Sequence, residues 1–298
     1  MFPPRVKTVY LSEAAGGDRV VIDNRTEAGS NEYSMQQSSA KLLHNIRGII
    51  FDFDGTLFDN ALLPFYLISA YPLDLRRIWR ERLVRKYFAG RDYNTPEHYY
   101  RAFFAAMGKA CLRRPEQMRH WYFDRYMPRM IKALQKHYKP RPGVNELFQC
   151  FDDAAGNRAG VSPSPDIPAC NLRVAVYSDY PFLRERMEAL GVCPGEGILL
   201  YGPESFGAQK PAVRPFRQIA GDLGVAPEEV LVIGDRKETD GLGAFNAGMR
   251  FFCLETGHKK RYFRLDPYRR PPEDKPHGPS LVMYAGIWEE IVKVLLKN

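Results

Sequence analysis

From residue 172 onward the chain alternates between two kinds of segment. Short apolar runs, "LRVAVYS" (172–178), "GILLYG" (197–202), "EVLVIGD" (229–235), "MRFFCLE" (249–255) and "LVMYAG" (281–286), are separated by stretches such as "PFLRERMEALG" (181–191), "VRPFRQIAGDLG" (213–224) and "IWEEIVKVLLKN" (287–298). In the separating stretches the apolar residues recur at helical spacing. Near-continuous apolar runs suit strands buried on both faces, and a helix between two strands supplies the crossover that parallel pairing requires. The alternation predicts a parallel α/β sheet.

An earlier run, "RGIIFDF" (47–53), belongs to the same sheet, yet residues 58–140 behind it read as helices only. "DLRRIWRERLVRKYFAG" ends on Gly90, a suitable residue just past a helix end. "TPEHYYRAFFAAMGKA" opens with Thr95 and Pro96, an N-cap and N1 pair. "PEQMRHWYFDRYMPRMIKALQKHY" carries Pro128, expected to break or kink it, and "RPGVNELFQCF" starts a further helix. The expected organisation is a Rossmann-like core, 44–58 and 141–298, with a helical domain, 59–140, inserted after the first strand. Residues 1–43 are polar and aperiodic and are expected to form a disordered extension, with Met35 an alternative start. "DDAAGNRAGVSPSPDIPACN" (152–171) reads as a loop insertion at the surface.

Charge singles out the insertion. The net charge is +8, but residues 61–140 hold 17 Lys and Arg against 6 Asp and Glu, and the rest of the chain is slightly acidic. The same segment holds 16 Phe, Tyr and Trp residues. The plain reading is a helical bundle with an aromatic core and a solvated basic face; the sharper one is a rim for an anionic substrate. Arg76, Arg77, Arg80 and Arg82 cannot all face one pocket from one helix. The longest uncharged apolar stretch, Asn60 to Leu73, is 14 residues and holds two prolines, too short to span a bilayer. The N-terminus lacks the apolar core of a secretory signal. Five cysteines without a CxxC pair suggest reduced thiols and a cytoplasmic setting.

In an open parallel sheet, ligands bind beyond the carboxyl ends of the strands. Those ends deliver Asp52, Asp54 and Thr56, then Ser178 and Asp179, then Lys210 from the loop after "GILLYG", then Asp235 and Asp240. Clustered acids repel one another unless a cation sits among them, and hard oxygen ligands suit Mg²⁺. The lysine and the hydroxyls would face an anion. Metal plus phosphate is the economical reading. Taken singly, each residue has a plain reading as a turn residue or helix cap, and Asp240 could simply cap the helix behind it.

In this order the motifs resemble those of the haloacid dehalogenase superfamily: "DFDGT" (52–56), "VAVYSD" ending on Ser178 and Asp179, "QKP" at Lys210, and "GDRKETD" (234–240). The resemblance implies a helical cap of the C1 type and a phosphatase. Asp52 would be the nucleophile and form an aspartyl phosphate. Asp54 would protonate the leaving oxygen and then activate water. Gly55 permits the turn that brings both acids to bear. Thr56, Ser178 and Asp179 would hold the phosphoryl group, and Lys210 would neutralise charge. Asp235 would bind Mg²⁺ with Asp52 and the backbone carbonyl of Asp54, while Asp240 orders the metal's waters or Lys210. Dehalogenases of the superfamily do not need the acid at the Asp54 position, so Asp54 favours phosphoryl chemistry. Two departures stand out: Val213 replaces a proline in the third motif, and Asp179 replaces an asparagine in the second.

The expected function is Mg²⁺-dependent hydrolysis of a small phosphorylated metabolite, such as phosphoglycolate, a sugar phosphate or a nucleotide. One rival is a phosphotransferase or phosphomutase of the same fold. The other is a catalytically idle core whose basic, aromatic cap binds RNA or an anionic membrane; an idle core has no reason to retain every catalytic position, which argues against this rival as a whole, and nucleic acid is not the expected partner.

Overall fold

The computed structural model describes residues 7–9, 42–157, 172–255 and 283–297. Its centre is strand β2 (Gly48–Asp52), buried at all five positions. Parallel strands flank it: β3 (Arg173–Tyr177) and β4 (Ile198–Tyr201) on one side, β5 (Val230–Gly234), β6 (Arg250–Leu254) and β7 (Met283–Gly286) on the other. The chain thus leaves β2 toward one edge and returns to its other side, which makes the carboxyl end of β2 a topological switch point. A short strand, β1 (Lys7–Val9), closes the far edge antiparallel to β7. That edge strand corrects the expectation of an unstructured 1–43: the ladder of β7 takes up three of its residues. The remainder up to residue 41, Met35 included, lies outside the described residues.

Alternation along β2 sorts its side chains to two faces. Ile49 and Phe51 pack with Leu147, Phe148 and Phe151 of α6 (Val144–Asn157), Met187 of α7 (Leu183–Leu190), and Trp288 and Ile291 of α11 (Trp288–Lys297). Ile50 faces Phe216 and Ile219 of α9 (Val213–Asp222) and Ala244 of α10 (Leu242–Ala247). The one-turn helix α8 (Pro203–Phe206) follows β4. Helix α6 runs on through residues 152–157, which the sequence reading assigned to a loop. Phe151 and Ala154 are buried, and Asp152 accepts the Gly195 backbone N–H at 2.7 Å, so the helix gains packing and a tertiary bond there. The rest of that segment, 158–171, lies outside the described residues.

Between β2 and α6 lies the helical insertion: α1 (Leu63–Ala70), α2 (Leu75–Phe88), α3 (Pro96–Cys111), α4 (Pro115–Trp121), a π-helical turn (Tyr122–Tyr126) and α5 (Met127–His137). Pro128 does not break the third helical region. It sits in the first turn of α5, directly after the π turn, where a helix tolerates a missing N–H. Thr95 caps α3 by accepting the His98 N–H at 3.3 Å. The core of the insertion is aromatic: Phe88, Tyr99, Phe103, Phe104, Trp121, Tyr122 and Tyr126 are all buried. Each such side chain contributes about 2–3 kcal/mol of hydrophobic stabilisation. The plain reading of the aromatics therefore holds. No helix among the described residues is long and apolar enough to cross a membrane.

Candidate active site

Asp52 ends β2 and is buried at the switch point. Its Oδ1 accepts the Lys210 Nζ at 2.6 Å, and its Oδ2 accepts the Thr56 hydroxyl at 2.9 Å. Lys210, itself buried, also donates to Asp240 Oδ1 at 2.8 Å. Asp240 further accepts the Arg236 backbone N–H at 3.2 Å. Carboxylate oxygens of Asp52, Asp235 and Asp240 lie within 4.8 Å of one another. The sequence reading grouped Asp52, Asp235 and the backbone carbonyl of Asp54 about a metal and gave Asp240 a supporting place; the geometry puts the carboxylates of Asp52, Asp235 and Asp240 side by side.

Burial, only partly countered by Lys210 and reinforced by Asp240 and Asp54, lifts the Asp52 carboxyl to about 7. Burial likewise raises Asp240. Burial opposes the charge on Lys210, but Asp240 and Asp52 outweigh it and push the ammonium's pKa up. Arg236 is a second cation near the cluster: burial opposes its charge, but Asp179, Asp240, Asp52 and Asp235 outweigh that and raise its pKa, and even so the Asp52 and Asp240 carboxyls stay raised.

Asp54 stands apart from the triad. Its Oδ2 accepts the Ser178 hydroxyl at 3.0 Å, and its Oδ1 is paired with Nη2 of Arg186. Arg186 also donates from Nη1 to Ser178 Oγ at 2.9 Å. It is fully buried, with its guanidinium 4.7 Å from the Phe53 ring centroid. Ser178 is fixed further by the Tyr180 N–H at 3.1 Å. Asp179 Oδ1 accepts the Lys210 backbone N–H at 3.0 Å, so this residue braces the lysine loop. Thr56, Ser178 and Asp179 thus bond the acids and the lysine loop in this structure.

Gly55 turns the chain between Asp54 and Thr56 at φ +96°, and a Cβ there would lie 2.5 Å from Asp235 Oδ2. Both demands require glycine. Gly55→Ala is expected to cost about 1–3 kcal/mol and to push Asp235 out of the triad. Thermal unfolding together with cation titration would read both effects.

Sequence reasoning missed three arginines. Arg186 occupies a core position in the i, i+3, i+4, i+7 pattern Leu183, Arg186, Met187, Leu190, and a charge at such a position was the available signal. Arg141 donates to the Thr56 and Gly55 carbonyls at 3.0 and 3.1 Å and clamps the turn. Arg85 of α2 reaches from the insertion to the core: it donates to the Asp179 carbonyl at 2.6 Å and lies 3.9 Å from the Tyr180 ring centroid. It is held by buried Glu81 at 2.5 and 2.8 Å and donates to the Tyr122 hydroxyl at 2.7 Å. Three backbone bonds complete the contact, Tyr93 N to Gly207 O, Gln209 N to Arg91 O and Gly90 N to Lys210 O, at 3.0, 3.1 and 3.1 Å.

Comparison with known proteins gives one family model, described as haloacid dehalogenase-like hydrolase, matching residues 46–248. Among characterised relatives, phosphoglycolate phosphatase of Salmonella typhi is 26% identical over 199 residues, covering 65% of this chain and 76% of its own. Phosphoglycolate phosphatase of Salmonella choleraesuis strain SC-B67 is 28% identical over 204 residues with the same coverage. Among solved structures, 2-haloacid dehalogenase from Pseudomonas syringae pv. Tomato DC3000 has 18% identity and a TM-score of 0.47, over 75% of this chain and 91% of its own.

Proposed function

Since the chain belongs to the haloacid dehalogenase-like hydrolases, we propose that it is a phosphatase acting on small phosphomonoesters through an aspartyl phosphate on Asp52. The observation that carries this reading is Asp54, a second acid two residues beyond the buried Asp52 and held by Ser178 and Arg186. A halide departs as a stable anion and needs no acid. The alkoxide of a phosphate ester must be protonated as it leaves.

In the first half-reaction Asp52 Oδ attacks phosphorus and the phosphorus–oxygen ester bond breaks. The departing oxygen takes its proton from Asp54. In the second, Asp54 removes a proton from water, the water oxygen attacks phosphorus, and the bond to Asp52 breaks to release phosphate. Lys210, 2.6 Å from Asp52 Oδ1, favours the charged form of that carboxylate against its burial and would meet the phosphoryl oxygens as charge builds. Thr56 and Ser178 are placed to turn their hydroxyls from the acids to the incoming phosphoryl group.

A divalent cation fits the donor set. Three hard oxygen donors converge within 4.8 Å, and with Lys210 and Arg236 both near them the Asp52 and Asp240 carboxyls are still raised, as crowded acids awaiting a further cation would be. We assign Mg²⁺ to this site, held by Asp52, Asp235 and the Asp54 carbonyl, with Asp240 alongside. When bound it would screen the charge between the carboxylates and the phosphoryl oxygens. Removing divalent cations with a chelator is expected to abolish phosphate release, and adding Mg²⁺ back to restore it. Activity unaffected by chelation would overturn the assignment.

The relatives make phosphoglycolate the first substrate to assay, ahead of sugar phosphates and nucleotides. Free phosphate released with no phosphorylated acceptor identifies hydrolysis. Transfer to an added alcohol would identify a transferase instead, and turnover of 2-chloropropionate without any phosphatase activity would refute the reading.

A further inference from the structure

Seven of the nine exposed large hydrophobic residues among those described fall between Leu62 and Tyr87. Five of them lie along one helix and its lead-in. Leu73 is 99% exposed, and Leu75, Trp79, Leu83 and Tyr87 follow at four-residue steps down α2, Trp79 at 54% and Tyr87 at 62% exposure. The opposite side of α2, with Ile78, Glu81, Val84 and Phe88, is the buried one. The helix therefore turns an apolar stripe away from its own core. Arg76, Arg82 and Lys86 are exposed beside the stripe. The guanidiniums of Arg80 and Arg91 lie 5.1 and 3.9 Å from the ring centroids of Trp79 and Tyr87. The exposed side of α2 carries no acid: Glu81 is buried against Arg85, and Asp74 is buried between Arg77 and Arg129.

We propose that this face of α2 docks on an anionic lipid bilayer, with Leu75, Trp79 and Leu83 entering the headgroup–acyl boundary and the flanking arginines and Lys86 meeting lipid phosphates. Leucine and tryptophan on one exposed stripe, with cations along its margins, are the side chains that enter the headgroup–acyl boundary of an anionic bilayer; the helix is apolar on its buried side too, so it is this exposed stripe, and not the helix as a whole, that would meet the lipid. The charge decides against two other occupants. A second copy related by two-fold symmetry would set this cationic face against itself. Single-stranded RNA would satisfy the cations but leave the leucines, which offer no ring for a base to stack on, in water.

The test is sedimentation of the whole chain with phosphatidylcholine vesicles, with and without phosphatidylglycerol. The protein is expected to co-sediment only with the anionic vesicles and to be released as salt rises. Of its three tryptophans, Trp121 and Trp288 are buried, so a blue shift in emission on binding reports Trp79. Arg76→Gln and Arg82→Gln are each expected to weaken partitioning about fivefold, and Trp79→Ser with Leu83→Ser to abolish it. All four residues lie away from the site, so hydrolysis of soluble phosphomonoesters should not change; the arginine variants should keep the melting temperature, and the double serine variant, which removes two half-exposed side chains, should melt slightly lower while remaining folded. Absence of binding, or equal binding to neutral vesicles, would overturn the proposal. So would a dimer in solution that Trp79→Ser with Leu83→Ser dissociates, or a shift with single-stranded RNA but none with vesicles.

Discussion

Asp52→Asn is expected to lower the hydrolytic rate by at least about 10⁴-fold while leaving the protein folded. The amide has nearly the shape of the carboxylate. Its oxygen can still accept from Lys210 and its nitrogen can turn toward the Thr56 hydroxyl, so the hydrogen-bonded frame at the end of β2 survives. What it loses is the electron pair that attacks phosphorus. Removing one of three crowded carboxylates also relieves repulsion, so the melting temperature should hold or rise. Wild-type protein quenched in acid during turnover of a labelled phosphomonoester should carry label on Asp52, and the variant none. A variant that kept most of its activity, or label that mapped to another residue, would displace Asp52 from its role.

The second large effect is expected at Arg186, which no motif marks. Arg186→Met keeps most of the side-chain volume but strips the cation from Asp54 and the second donor from Ser178. Removing one member of a buried ion pair costs about 3 kcal/mol or more, because the remaining charge is left in a poor solvent. For a chain of this size that lowers the melting temperature by roughly 6–12 °C. Asp54→Asn in the Arg186→Met background should recover part of the loss, since neither charge is then stranded, and the double-mutant cycle would give the coupling. Arg186 acts through Asp54, so it is a positioning residue. Its signature in kinetics is a dependence on the leaving group: kcat should fall steeply for alkyl phosphates, which need a proton from Asp54, and little for an activated aryl phosphate, which does not. An equal fall for both substrates would reduce Arg186 to a structural part.

The core was legible in the sequence because it is written in local pattern. Ile49, Phe51, Val174, Val176, Leu231 and Ile233 fall in short apolar runs, each followed by the polar residue that the sheet then presents at its carboxyl edge. The acids of the site were found the same way, being tied to strand ends. The arginines were not, because each acts on a partner remote in the chain. Arg186 meets an acid 132 positions earlier, and Arg141 clamps a turn 85 positions before it. Nothing in the neighbourhood of either residue announces that partner. The helix over 152–157 escaped for a related reason: Ala, Gly and Asp near a helix end look like a loop until Asp152 is seen to cap Gly195 from across the fold. Edge strand β1 escaped because three residues are too few to show a period.

The ribbon joining residues 90–93 to 207–210 sets a limit on exchange. Gly207 adopts φ +65°, and a Cβ on it would lie 2.0 Å from the Thr95 carbonyl oxygen, so this loop is fitted to the insertion at backbone level. The segment that carries the lysine of the site is thus shaped jointly by both parts of the molecule. A chimaera that receives a foreign helical insertion, spliced at its two chain crossings alone, would lose the mould for its own lysine loop. Transplanting substrate preference into this scaffold calls for three segments to travel together, the third being the stretch from Gly207 to Lys210.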